Sequence, residues 1–278
     1  MPTISVSGAT LYYESSGSGP LLLILQGGAG DADGCAALVA ALASDFTVVT
    51  YDRRGLSRSA LGDPSAPVTI ATHADDVIAL LEAVGATTGP ALLFGVSIGA
   101  LIGLDVVARR PDLVRMHVAH EPPLAAVLPA PERDAFAHHQ EELEAAFRTH
   151  GPLVAMQRFM TILGIDPTDR EPDAPLPDRT VHLGENVARL IRADAPAVRL
   201  YSPDLAALRG VRDRIVPAAG ASSRATMHGG PVLALARALD RDVVAFPGGH
   251  GGYAAHPSGT AATLRRLFMP EARALLDA

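Results

Sequence analysis

The sequence predicts an α/β fold, in which a mostly parallel sheet carries helices on both faces. Short apolar runs alternate with longer stretches whose apolar residues recur at helical spacing, and this alternation is typical of a parallel sheet. Of the 278 residues, 48% are hydrophobic and 19% are charged, so a large core can be buried. The third observation is the pentapeptide Gly-Val-Ser-Ile-Gly at positions 95–99, which stands between a predicted strand and a predicted helix.

The first elements of the chain fit this fold in order. Residues 4–6 and 10–13, separated by Gly8, indicate an N-terminal hairpin. An apolar stripe at helical spacing over residues 70–84, with acidic residues on the other side, predicts an amphipathic helix. Apolar and β-branched runs predict buried strands at residues 21–25, 48–51, 91–94 and 114–119.

The pattern changes after Pro122 and Pro123. From about residue 132 to residue 200 the chain is helical and charged, and a loop rich in Pro and Asp breaks it at residues 166–178. Strand signals return at residue 205 and at residue 243. We therefore expect a core made of residues 1–121 and 201–278, with residues 122–200 inserted as a helical cap.

Ser97 is the candidate nucleophile. A strand that turns abruptly into a helix leaves the serine between them on a strained, exposed turn, and glycines are needed at positions 95 and 99 to avoid collisions across the bend. The alternative is that Ser97 only caps the helix that follows. The strand before the pentapeptide favours the nucleophile.

A serine nucleophile needs a base and an acid that orients the base. His250 follows a late β-branched run and stands among glycines, which would allow its loop to approach Ser97 closely. The preferred acid is Asp213, because a predicted strand at residues 205–208 would place it at the carboxyl end of that strand. Glu121, after the run at 114–119, is a rival acid, and Asp204 lies at the wrong end of the strand. Asp213 could instead be a surface residue paired with a neighbouring arginine.

The negative charge that develops on a substrate carbonyl needs backbone N–H donors. Ile98, at the start of the predicted helix, can supply one of them. The run at residues 21–25 leads into the glycine-rich sequence of residues 26–30, where Gly28 is the best second donor because no side chain stands in the way. A plain turn into the next helix would need glycines there as well.

These residues, in the order serine, acid and histidine, resemble the α/β-hydrolase superfamily. The resemblance includes Tyr-Asp-Arg-Arg-Gly-Leu-Ser-Arg-Ser at 51–59 and Gly-Gly-His at 248–250. It implies the α/β-hydrolase fold, with an eight-stranded sheet and a helical cap. It also implies that Ser97 is the nucleophile, His250 the base and Asp213 the acid, with Gly28 and Ile98 as oxyanion donors. Gln26 stands where the family usually has histidine, and its amide could hold the loop in a similar way.

The resemblance implies a serine esterase or lactonase that cleaves an ester, lactone or thioester of a small apolar substrate through an acyl-enzyme. Two alternatives stay open. The same three residues serve carbon–carbon bond hydrolysis, perhydrolysis and lyase or cyclase reactions in relatives, and a hydrolase scaffold can also serve only to bind a ligand.

We expect the cap to set substrate choice. Val154 and Leu163 share a helical face with three residues that are candidates for the substrate pocket, although packing of the cap on the core explains most of that face equally well. His138 and His139 are interpreted as a solvated helix face, and no metal site is predicted. The candidate pocket residues are Gln26, Glu121, Met156, Phe159 and Met160.

Composition limits the partners. The formal net charge is −7 and no run of Lys or Arg occurs, which argues against nucleic acid and anionic membranes. The single cysteine, Cys35, excludes an internal disulfide. The first residues lack a basic segment and a long apolar stretch, so we expect a cytoplasmic protein. A small-molecule substrate and no cofactor are expected, and a homodimer remains open.

Overall fold

A computed structural model describes residues 2–86, 88–175, 181–223 and 229–269. Its sheet runs in the order β1-β2-β4-β3-β6-β7-β8-β9, and the short strand β5 pairs with β2. The pairings from β4 through β9 are parallel, whereas β2 is antiparallel to its three partners. The strands are β1 Thr3–Val6, β2 Ala9–Ser16, β3 Leu21–Leu25, β4 Thr47–Tyr51, β5 Ala60–Leu61, β6 Ala91–Val96, β7 Val114–His120, β8 Ile215–Gly220 and β9 Val244–Phe246.

Helices cover this sheet and also form the segment between β7 and β8. A π-helical segment, Leu190–Asp194, joins α6 to α7. No helix in the ranges given above is long and apolar enough to cross a membrane. The helices are α1 Ala36–Leu42, α2 Ile70–Ala83, α3 Ile98–Arg109, α4 Ala130–His150, α5 Pro152–Ile162, α6 Leu183–Arg189, α7 Ala195–Leu200, α8 Leu205–Gly210, α9 Gly229–Leu239, α10 Gly252–Ala255 and α11 Pro257–Phe268.

Apolar side chains cover both faces of the sheet, because successive residues of a strand point in opposite directions. On β3, Leu23 and Leu25 join a cluster that contains residues of α2 and α3. Leu22 and Ile24, on the other face of the same strand, join a second cluster that contains residues of α1 and α11. The predicted α/β fold with a mostly parallel sheet is therefore confirmed. Among the described residues the strands number nine rather than eight, and the additional one is the two-residue β5.

The helix predicted at residues 70–84 is confirmed as α2, and its start is fixed by local chemistry. The hydroxyl of Thr69 accepts a hydrogen bond from the backbone N–H of Thr72 at 3.0 Å. The Thr72 hydroxyl accepts in turn from the Thr69 N–H at 3.3 Å. This reciprocal capping satisfies two backbone donors at the helix start.

The strand predicted at residues 205–208 is wrong, since these residues form α8. The carboxylate of Asp204 accepts hydrogen bonds from the N–H groups of Ala206 and Ala207, which starts a helix. The strand that was missed is β8, which contains Pro217. Proline rarely occurs inside a central strand, so the sequence pattern argued against the correct assignment.

The described part of residues 122–200 contains α4 to α7 and no strand, as expected of a helical insertion. A third apolar cluster joins Leu143, Ala155 and Val187 of these helices to Ala29, which follows β3. The helical insertion therefore packs on the loop that leaves β3. Of the loop expected at 166–178, residues 166–175 lie between α5 and α6, and residues 176–178 lie outside the described ranges. The division into core and cap stays a prediction.

Candidate active site

Three polar residues follow parallel strands of the sheet and lie at the same edge. Ser97 follows β6 directly, Glu121 follows β7 directly, and His250 lies in the loop that leaves β9. Parallel strands end at the same edge, so the chain positions after these strands are neighbours. The strand register bears this out: Val96 pairs with His120, His120 with Ala218, and Gly220 with Phe246.

Ser97 occupies a strained backbone turn. Its φ of 54° and ψ of −122° lie where residues with a side chain are rarely found. A Cβ at position 95 would lie 2.6 Å from the Gly99 carbonyl oxygen, and a Cβ at position 99 would lie 2.0 Å from that of Leu25. The Ser97 side chain makes no capping hydrogen bond with α3. The alternative in which the serine only caps the helix is therefore wrong.

His250 and Glu121 form a buried pair. The Nδ1 of His250 lies 2.6 Å from the Oε2 of Glu121, and the Oε1 of Glu121 accepts a hydrogen bond from the Gly220 N–H at 2.8 Å. Glu121 also has a positive φ of 47°, which marks a strained turn directly after β7. Both oxygens of the carboxylate are therefore engaged at a fixed place on the sheet edge.

The Glu121 carboxyl is ionised at neutral pH. Burial alone would raise its pKa, but the hydrogen bond with His250, the electrostatic attraction of the His120 and His250 rings and the Gly220 N–H outweigh burial and lower the pKa to about 2. An anionic carboxylate facing Nδ1 keeps a proton on that nitrogen. The lone pair of the neutral ring is then on Nε2.

Asp213 is not near this pair, and its expected role as the acid is contradicted. It lies in a short 3₁₀ helix, Arg212–Arg214, that precedes β8, so it stands at the amino end of the strand. Its side chain is 86% exposed and pairs with Arg241 at 3.3 Å. The error follows from the misassigned strand, because a strand at 205–208 would have ended before Asp213. Glu121, the rival acid, takes the position next to His250.

The loop after β3 brings backbone N–H groups to the same edge. Gly28 has a φ of 50°, and the Gly27 carbonyl accepts a hydrogen bond from the Gly30 N–H at 3.0 Å. In a planar trans peptide the N–H points opposite to the carbonyl, so the Gly28 N–H is directed away from Gly30. Ile98 is the first residue of α3, where N–H groups have no partner inside the helix. Gly28, Ile98 and Ser97 line one cavity.

Gln26 does not act as expected. Its side chain is buried, and neither amide atom has a hydrogen-bond partner among the described residues. The loop is held instead by Arg53, which donates to the backbone carbonyls of Gln26 and Gly28. The amide of Gln26 therefore does not replace the hydrogen bonds expected of a histidine at this position.

Two cavities meet at Gly28. The first, of about 70 Å³, contains Ser97 and is lined almost entirely by apolar side chains. The second, of about 230 Å³, contains His250 and is more polar. Gly28, Phe159 and Leu163 line both. The first is enclosed chiefly by Phe136, Leu143, Ile162, Leu190, Ala195 and Val198; the second is lined by Asp31, Met156, Met160, Leu183 and Tyr253.

The candidate pocket residues separate into two groups. Met156, Phe159 and Met160 line the cavities, which agrees with the sequence pattern. Gln26 and Glu121 line neither cavity, and both side chains are buried.

The sequence pattern missed Phe136 and Leu143. They are seven residues apart and are the two buried side chains of helix α4, which is rich in charged residues. That spacing was the signal available in the sequence.

His138 and His139 both lie near the carboxylate of Glu142. His138 is exposed and lies 3.6 Å from Glu142, while His139 lies 3.4 Å from the same carboxylate and lines the first cavity. Across the ranges that the structure describes, no group of three or more His, Cys, Asp or Glu side chains could hold a metal ion.

Comparison with known proteins identifies the family. Residues 20–183 match the family model of the alpha/beta hydrolase fold. The chain is 36% identical over 255 residues to the uncharacterized hydrolase YraK of Bacillus subtilis, covering 90% of this chain and 89% of the relative. The chain therefore belongs to the α/β-hydrolase fold family, and it is a hydrolase of that family.

Solved structures agree in fold. An α/β hydrolase from Sphaerobacter thermophilus superposes with a TM-score of 0.71 at 25% identity, covering 96% of this chain and all of that one. A thermophilic esterase from Thermogutta terrifontis superposes with a TM-score of 0.75 at 19% identity, covering 96% of each chain. The latter similarity supports the fold alone.

Proposed function

We propose that this protein is a serine hydrolase that cleaves an ester, lactone or thioester through an acyl-enzyme on Ser97. The observation that carries the proposal is the buried contact of 2.6 Å between His250 Nδ1 and the Glu121 carboxylate, at the sheet edge where Ser97 occupies its strained turn. In this proposal Glu121, rather than Asp213, is the acid of the triad.

The chemistry follows from the order of these groups. His250 Nε2 removes the hydroxyl proton as Ser97 Oγ attacks the substrate carbonyl carbon, and the N–H groups of Gly28 and Ile98 stabilise the oxyanion. The Glu121 carboxylate stabilises the imidazolium. When the tetrahedral intermediate collapses, the bond to the leaving group breaks and His250 gives that group its proton. A water molecule, deprotonated by His250, then cleaves the acyl-enzyme and restores Ser97.

The two cavities suggest how the substrate lies. His250 must protonate the leaving group, so the leaving group belongs in the larger, more polar cavity that contains His250. The acyl group then occupies the small apolar cavity beside Ser97. Its volume of about 70 Å³ favours short acyl groups. This arrangement predicts stronger selection for the acyl part of the substrate than for the leaving group.

A fluorophosphonate probe and a series of p-nitrophenyl esters test the proposal. We expect one adduct on Ser97, ester hydrolysis that falls as the acyl chain lengthens, and loss of roughly 10³-fold or more in kcat in Ser97→Ala. Asp213→Asn is the matched control, because this carboxylate is exposed and lies at the opposite edge of the sheet.

Full ester hydrolysis by Ser97→Ala would overturn the nucleophile assignment. If the folded protein is not labelled and cleaves no ester, acyl-enzyme chemistry on Ser97 is wrong for this protein.

A further inference from the structure

A buried arginine holds the loop that carries Gly28. Arg53 follows β4, and its side chain is 1% exposed. Its Nη1 donates to the Gln26 carbonyl at 2.9 Å, and its Nη2 donates to the Gly28 carbonyl. These two carbonyls belong to the peptides directly before and after the Gly27–Gly28 peptide. Arg53 therefore fixes, from both sides, the peptide whose N–H is the proposed oxyanion donor.

The helical insertion holds Arg53 in turn. The Oδ2 of Asp194 accepts from Arg53 Nη2 at 3.0 Å, and its Oδ1 lies 3.1 Å from the Nε2 of His73. All three side chains are 1% exposed. Burial alone would raise the pKa of Asp194, but the charge of Arg53 and the contact with His73 outweigh it and lower the pKa to about 2. Asp194 is therefore an anionic anchor for a buried cation.

A second side chain of the insertion holds the same loop. The Nδ2 of Asn186 donates to the Ala29 carbonyl at 3.2 Å and to the Ser57 hydroxyl at 2.9 Å. The Asn186 Oδ1 accepts from the Ser57 N–H at 3.0 Å. Asn186 is 1% exposed, so these bonds are shielded from water.

The π-helical segment explains how one helical stretch supplies both residues. Asn186 lies in α6, and Asp194 lies eight positions later, at the end of Leu190–Asp194. An α-helical turn takes about 3.6 residues, and a π-helical turn takes nearly one residue more. One turn of each kind spans roughly eight residues, so the two side chains return to the same face of the stretch.

We infer that Asp194 and Asn186 are positioning residues for the oxyanion hole, an inference that rests on the proposed function. Asp194 holds Arg53, which fixes the carbonyls of Gln26 and Gly28, and Asn186 fixes the Ala29 carbonyl directly. Together they set the direction of the Gly28 N–H. Neither residue lines either cavity. The insertion therefore affects catalysis by orienting a donor as well as by enclosing the substrate.

Asp194→Ala tests this inference against a matched control. Arg54, the residue after Arg53, forms another buried arginine–carboxylate pair with Asp76. Its Nε lies 2.7 Å from Asp76 Oδ2. Among the hydrogen bonds and ion pairs of the described residues, none joins Arg54 or Asp76 to residues 26–30, and Arg54 also donates to the Ser7 carbonyl. Asp76→Ala therefore removes a comparable buried pair without releasing Arg53.

The readout is the rate of the p-nitrophenol burst with p-nitrophenyl acetate, together with KM and the melting temperature. Removing one oxyanion donor costs about 10²–10³-fold, so a displaced donor should slow acylation by about tenfold or more. We expect this loss in Asp194→Ala with KM within about twofold, and an acylation rate near wild type in Asp76→Ala. Asn186→Ala leaves no buried charge unpaired, and it should also slow acylation. This variant tests the inference if Asp194→Ala does not fold.

Equal acylation rates in the Asp194→Ala and Asp76→Ala variants would overturn the inference, as would an Asn186→Ala variant that acylates like wild type. A loss seen only for long acyl chains would also overturn it, because that pattern belongs to a pocket residue. Failure of the proposed function gives a different result, in which the wild-type protein itself is not labelled on Ser97.

Discussion

Glu121→Gln isolates the role of the acid, because it preserves the shape of the side chain and changes only its charge and donors. Two donors face the carboxylate: the Gly220 N–H at 2.8 Å and the His250 ring nitrogen at 2.6 Å. An amide has one acceptor oxygen and one NH₂ group. The backbone donor at Gly220 cannot be changed, so the amide oxygen must face it, and the NH₂ group then faces His250.

The consequence is the wrong tautomer of the histidine. His250 Nδ1 has to accept from the amide, so the proton moves to Nε2 and the ring cannot take the proton of Ser97. In serine proteases, the equivalent change from aspartate to asparagine lowers kcat by about 10⁴-fold. We expect a loss of roughly 10³- to 10⁴-fold in kcat for Glu121→Gln. KM should change little, since Glu121 lines neither cavity.

Steady-state hydrolysis of p-nitrophenyl acetate measures the effect, with circular dichroism to show that the variant is folded. Asp213→Asn should retain activity within about twofold, because its exposed ion pair contributes little. A folded Glu121→Gln variant with activity within tenfold of wild type would refute this reasoning. So would a large loss in Asp213→Asn alone.

Three further predictions concern the packing of the His250 loop, the apolar cavity and the buried carboxylate of Asp194. In Gly220→Ala, the new Cβ would lie 2.6 Å from the Gly248 carbonyl oxygen, so it should displace the His250 loop and lower kcat. The control variant Gly210→Ala has open space around its Cβ and should keep wild-type activity. Phe136→Ala should cost about 3 kcal/mol in the free energy of unfolding and shift the preference among p-nitrophenyl esters toward longer acyl chains. The pKa of Asp194 is lowered from 3.8 to about 2, so its ionised form contributes stability above about pH 4 that is lost toward pH 2. Urea unfolding of Asp194→Asn should therefore depend less on pH across that interval than unfolding of wild type.

The sequence was sufficient for features set by local chemistry. The pentapeptide around Ser97 requires glycines at positions 95 and 99, and the structure shows backbone atoms where their side chains would be. The alternation of short apolar runs with helical stretches likewise predicted the strands of the sheet through β7, apart from the two-residue β5. His250 was placed correctly after the last strand for the same reason.

The identity of the proposed acid could not be read in this way. It depended on whether a strand ends before or after Asp213, and Pro217 inside β8 obscured that strand. The hydrogen bond between Glu121 and the Gly220 N–H depends on the register of β7 against β8, and the two residues are 99 positions apart in the chain. Likewise, the buried bonds of Arg53 join β4, the loop after β3 and the helical insertion. No local pattern in the sequence encodes such contacts.

The position of Glu121, directly after β7, is consistent with the packing of the adjacent strand β8. Gly220, the last residue of β8, lies so close to the His250 loop that a Cβ there would be 2.6 Å from both Gly248 O and the Gly249 Cα. The loop that carries His250 therefore packs closely against the end of β8, and position 220 has no space for a side chain. Strand β8 therefore contributes an N–H at this point, and the carboxylate comes from Glu121, the residue directly after the adjacent strand β7. The same N–H donates to the carboxylate that lies against His250, so the close packing and the position of Glu121 are two parts of one arrangement.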